Sequence, residues 1–174
     1  MSFSLAAWKA RPNYAGEKIV ALLAAALFLM GLVSFHYAMP KGTMLILRGV
    51  AAENAPKGQL DDSAAKQYAW RSGYAAEVID AAGGTREQAQ IALDGVRNDP
   101  RVRALYGFSG GGYVLANLWG QLKPEERSRI SKLVVVGAPG ITEASFPGAA
   151  EVVIQPDPPE GHMEGPRALL QSGK

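Results

Sequence analysis

The chain has 174 residues, 48% of them apolar, which is enough for one domain with a real core and gives no reason to expect a second. Its formal charge is +2, with basic residues scattered among acidic ones, so no basic stripe follows a phosphate backbone and nucleic acid is not expected as a partner. The absence of cysteine removes disulfides, thiol nucleophiles and thiolate metal sites, and leaves the compartment open.

Residues 1–18 contain Lys9, Arg11 and Lys18 and precede the run "IVALLAAALFLMGLVSFHYAMP", residues 19–40, which holds no formally charged side chain over 22 positions. As a helix this run reaches roughly 33 Å, enough to cross the hydrocarbon core of a bilayer. The positive flank places residues 1–18 in the cytoplasm and everything after Pro40 on the other side of the membrane. A cleaved signal peptide is the competing reading and would make the remainder secreted or periplasmic. Such peptides have shorter apolar regions, and "SFHYAMPKG" offers only a poor small-x-small site. A buried core helix is disfavoured because the run is apolar all round.

Residues 41–174 have the pattern of an α/β domain. "TMLILRG" from Thr43 to Gly49 is expected as a first strand buried on both faces. A polar loop follows, then a helix from Ser63 to Arg71. "YAAEVIDAAGG" reads as a strand ending near Asp80. Thr85 and Gln88 have capping-box spacing, and Ala89, Ala92, Leu93 and Val96 share one face of a helix that stops at Asn98, Asp99 and Pro100. "VRALYG" is a third strand, and "GGYVLANLWGQL" is a helix apolar on most sides, hence central. Pro124 opens a short polar helix, "KLVVVGAPG" is a strand closed by Gly137, Pro139 and Gly140, and "EVVI" is the last strand. "PDPPEGHMEGP" is a rigid loop before a small helix, "RALLQS". Apolar strands alternating with helices predict a three-layer sandwich around a small, mostly parallel sheet of about five strands.

In such a sheet the chemistry lies beyond the carboxyl ends of the strands, and Ser109 lies at one of them. Gly107, Ser109 and Gly111 satisfy G-x-S-x-G. That spacing places a nucleophile on a tight strand-to-helix turn, where residues two positions away must be small because strand and helix pass close together. The backbone N–H of Gly110 then points to where a carbonyl oxygen would gain charge. Two other readings compete with this one. A phosphate cradle fails on both glycine patterns, since G-x-G-x-x-G meets serine or leucine at required positions and the P-loop lysine is missing. A plain helix cap, with glycines that merely allow packing, remains possible from spacing alone.

A serine hydroxyl needs a base to take its proton, and only two histidines exist, His36 and His162. Outside the apolar run there is one, His162, in the loop after the last strand and downstream of the serine. The bland alternative is a surface histidine. For the acid that orients the imidazole, Asp157 at the end of "EVVI" is the first candidate, with a turn aspartate as its alternative, and Asp80 is the reserve. Glu160 and Glu164 are expected to be solvated.

Taken together, "GFSGG", "LILRGV", "LVVVGAPG" and "PDPPEGHMEGP" resemble the α/β-hydrolase superfamily, in particular its small lidless serine esterases of the cutinase type, over Thr43 to Leu170. The resemblance implies a second oxyanion donor in the loop after "LILRG", carried here to the backbone of Val50. Three departures stand against it: only 134 residues follow Pro40, Val50 replaces the usual hydroxyl side chain, and the loop joining acid and histidine is abbreviated. The expectation is a membrane-tethered serine hydrolase acting on a small-molecule or lipid-like ester or thioester, needing no metal and no organic cofactor. The alternative is a catalytically inactive, tethered α/β-hydrolase-like binding domain.

Overall fold

Five short apolar segments pair side by side, all parallel, in the order β2-β1-β3-β4-β5. They are β1 (Thr43–Leu47), β2 (Ala75–Ile79), β3 (Val102–Phe108), β4 (Lys132–Val136) and β5 (Val152–Gln155). The computed structural model describes residues 19–30, 39–49, 62–79 and 85–173.

Parallel neighbours need long crossovers, and helices supply them. They are α2 (Ser63–Arg71), α3 (Thr85–Asn98), α4 (Gly110–Gln121), the single turn α5 (Pro124–Arg127) and α6 (Gly165–Ser172). The apolar strands serve two layers at once because successive side chains point to opposite faces. Leu45, Leu47 and Leu105 join the core under α3 and α4, with Leu93, Val96, Leu115, Leu118 and Trp119. Met44, Ile46, Tyr106 and Val134 join the core under α2 and α6, with Tyr68, Ala69 and Leu169. The result is the expected three-layer sandwich with five strands. Lys132, the first residue of the central strand β4, is charged yet buried. Its ammonium is 2.8 Å from a Glu151 carboxylate oxygen and lies 5.5 Å over the Tyr68 ring. Burial opposes its charge, but Glu151 and Tyr68 outweigh it and hold its pKa above the ordinary lysine value.

Strand order fixes where a ligand can sit. The chain leaves β1 for α2 on one face of the sheet and leaves β3 for α4 on the other, although β1 and β3 are neighbours. A crevice opens at the carboxyl ends of two such strands, the switch point at which doubly wound sheets bind their ligands.

One detail differs from the sequence reading. Thr85 is the first helical residue of α3, and no capping box forms with Gln88. Gln88 lies instead on the buried face, and its side-chain oxygen has no hydrogen-bond partner among the described residues. Packing against the sheet draws the side chain away from the helix end.

The chain divides into two units, 1–39 and 40–174. In the first, residues 19–30 form a helix, α1, whose Leu22, Leu23, Leu27, Phe28 and Leu29 are all well exposed. The remaining interior of the 19–40 run, residues 31–38, lies outside the described residues. Among the described residues no helix is long and apolar enough to cross a membrane.

Candidate functional site

Ser109 follows the last residue of β3 and precedes the first of α4. Its backbone sits at φ 53°, ψ −122°, and it is the only non-glycine residue with positive φ among the described residues. Conformations of this kind cost about 1–3 kcal/mol and persist only where the surroundings impose them. Here the surroundings are visible. The Ser109 N–H donates to the Val136 carbonyl at 2.8 Å, extending the β3–β4 ladder, and the Gly112 N–H donates to the Ser109 carbonyl at 2.9 Å, closing the first turn of α4. The turn is thus pinned on both sides, leaving the side chain half-buried at the switch point.

The flanking glycines are required by sterics. A Cβ on Gly107 would stand 2.5 Å from the Gly111 carbonyl oxygen, and one on Gly111 would overlap the Leu47 carbonyl oxygen of β1. Strand β3, helix α4 and strand β1 approach so closely that only hydrogen fits at either position. Gly110 opens α4, so its N–H is among those that helix geometry leaves without an intrahelical acceptor. The helix amino terminus places partial positive charge beside the serine.

The chain leaving β1 touches the same spot. A Cβ on Gly49 would lie 2.8 Å from the Ser109 Cβ and 3.2 Å from its hydroxyl oxygen. Just before it, Arg48 makes a paired contact with Asp62, its Nε 2.9 Å and 3.0 Å from the two carboxylate oxygens and a terminal nitrogen closing the fork. This bidentate bridge joins the two ends of segment 50–61. Val50 lies in that segment and so outside the described residues, as does Asp80 after β2.

Asp157 and His162 come together. The imidazole Nδ1 and the Asp157 carboxylate oxygen are 2.7 Å apart. With the aspartate ionised, Nδ1 carries the proton and donates it, which turns Nε2 toward the acceptor role. The ring also stacks on Phe108, with centroids 4.9 Å apart and planes inclined by 21°. Phe108 immediately precedes Ser109, so the imidazole lies at the serine's end of the sheet rather than on a remote edge. Beneath the pair is Gly137 at φ 60°, where a Cβ would meet the Asp157 oxygen at 2.5 Å and the His162 ring at 2.9 Å. Gly165, at the start of α6, lies against Val136 and Phe108. His162 itself begins a 3-10 turn, His162–Glu164, rather than lying in a loop.

Phe108, Gly137 and Gly49 are site residues that the sequence did not reveal as such. Each acts through strand adjacency, which the order β1-β3-β4-β5 creates. Glu160 is exposed, as expected, whereas Glu164 is partly covered and pairs with Arg167 at 3.2 Å. No group of three or more potential metal ligands occurs among the described residues.

No family model matches the sequence, and no curated protein matches it. Among solved structures the chain is similar to Trichoderma reesei cutinase in complex with a C11Y4 phosphonate inhibitor, at 19% identity over 86% of this chain and 80% of that one, with a TM-score of 0.47.

Proposed function

We propose that the protein is a serine hydrolase that cleaves an ester or thioester through an acyl-enzyme on Ser109. The observation that carries this reading is the strained backbone of Ser109 at the switch point of the sheet. A serine that merely capped α4 would need neither a positive φ nor glycines at both 107 and 111, and Ser109 makes no side-chain cap hydrogen bond.

In this mechanism the Ser109 oxygen attacks the substrate carbonyl carbon while His162 Nε2 takes the hydroxyl proton. The carbonyl oxygen becomes negative, and the Gly110 N–H and the backbone of Val50 donate to it. As the intermediate collapses, the bond to the leaving alcohol or thiol breaks and His162 returns the proton to that group. Water then repeats the sequence on the acyl-enzyme, releasing the acid and free Ser109. Asp157 keeps the imidazole in the required tautomer and stabilises its cation. No metal or organic cofactor enters any step.

The test is covalent labelling of the full chain with a fluorophosphonate probe. The wild type should label and Ser109→Ala should not. Labelling that persists in Ser109→Ala, or a wild type that does not label, rejects the enzyme and favours an inactive binding domain.

The same reading places residues 19–40 in a bilayer as an anchor, with 41–174 on the non-cytoplasmic side. The exposed apolar side chains around α1 support it. Alkaline carbonate extraction of membranes should leave the full chain in the pellet, and release into the supernatant would refute the anchor.

A further inference from the structure

An open groove of about 610 Å³ lies between α3 and α4, and Gly110, the residue after the serine, lines it. Leu93 and Val114, both buried, form its floor. Its rim is polar. Gln90 and Asn117 are already engaged, the Gln90 amide donating to Asp94 at 3.0 Å and the Asn117 carbonyl accepting from Gln121 at 2.6 Å. Arg86 differs from them. It is the only charged residue among those lining the groove, it is exposed, and it has no ion pair or hydrogen bond among the described residues. Among the described residues no carboxylate lines the groove.

This chemistry selects against a long hydrocarbon tail. Such a tail gains by covering apolar walls, but here it would also cover a guanidinium without giving it a partner. A carboxylate on the ligand would supply the missing partner, in the two-pronged form that guanidinium favours.

The position of Arg86 sets the length. Arg86 lies in the first turn of α3 and Gly110 at the first position of α4, and both line the groove. Packed helices lie about 8–10 Å apart, and a ligand lying across the groove from Gly110 toward the α3 side need be no longer than a short acyl chain.

The geometry points to an acyl subsite for short esters that end in a carboxylate, the half-esters of small dicarboxylic acids, with the scissile carbonyl at Gly110 and the free carboxylate on Arg86. This assignment deepens the serine-hydrolase reading and rests on it, but its test needs no turnover.

The full chain carrying Ser109→Ala is titrated with monoethyl glutarate and with ethyl pentanoate, which matches it in acyl length but lacks the charge. The half-ester should bind about fivefold or more tightly than the neutral ester at low salt. Adding Arg86→Gln should shrink that preference to within about twofold, and Arg86→Lys should retain part of it. Equal binding of the two esters, a preference that survives Arg86→Gln, or no measurable binding of either would overturn the subsite. Fluorophosphonate labelling of the wild type is read separately. Labelling without the half-ester preference rejects the subsite alone, whereas the preference without labelling rejects the nucleophile and leaves an anion-selective groove.

Discussion

Two segments meet at the carboxyl edge of the sheet, and they are built by different means. The turn from β3 to α4 is held from within the core. Backbone hydrogen bonds reach it from β4 and α4, and two glycines are forced by the passage of β1 and the helix. The segment after β5 is held at the surface. Asp157 and His162 keep 35% and 40% of their side-chain area exposed, and their position depends on one mutual contact, a stack on Phe108 and the space over Gly137. The serine's geometry is therefore a property of the fold, while the Asp157–His162 pair is an accessory resting on it. Stability and activity should separate accordingly.

The largest effect should come from the surface segment and appear only in rate. His162→Ala should lower kcat by about 10⁴-fold or more, since no other described histidine can act as base. It should cost only about 1 kcal/mol of stability, the worth of an aromatic stack on a half-exposed ring. Kinetics with a nitrophenyl ester, beside urea denaturation of the same samples, checks both numbers. A loss of several kcal/mol in stability would show that the segment after β5 belongs to the core after all.

The converse substitution lies in the turn. Gly111→Ala sets a methyl group against the Leu47 carbonyl, and neither partner is a flexible side chain that can move aside. Overpacking against backbone should cost about 3 kcal/mol or more, with probe labelling lost as well. A variant as stable as the wild type in urea would mean that β1 and α4 can part freely, and the turn at Ser109 would then not be imposed by the core.

The same contrast explains what could be read from the sequence. The turn at Ser109 was legible because its cause is local: a residue on a tight turn between strand and helix needs small neighbours two positions away, so Gly107, Ser109 and Gly111 announce it together. Apolar strands without alternation likewise signalled a sheet covered on both faces. The pairing of Asp157 with His162 was also within reach, being a contact across five residues of one loop. What could not be read depends on strand order. Phe108 stacks on His162, and Gly137 makes room for the pair, because β4 lies between β3 and β5, and no local pattern encodes that neighbourhood. The groove beside Gly110 was hidden for the same reason, as α3 packs beside α4 only once β2 and β3 flank β1. Gln88 shows the reverse error, where a local capping pattern yielded to burial against the sheet.

The smallest effect is the most specific test of how the turn is held. Backbone strain at Ser109 is a stored cost of about 1–3 kcal/mol, and glycine at that position would adopt φ 53° without it. Glycine also loses more chain entropy on folding, by about 0.5–1 kcal/mol relative to alanine. Ser109→Gly should therefore be more stable than the wild type by about 1 kcal/mol, whereas Ser109→Ala keeps its Cβ, retains the strain and should stay within about 0.5 kcal/mol of the wild type. Both variants lose the hydroxyl, so the difference between them in thermal and urea denaturation isolates the backbone contribution from any side-chain hydrogen bond. If the glycine variant proved less stable than the alanine variant, the turn would carry no strain to release, and the case for a nucleophile lifted by the fold would lose its physical basis.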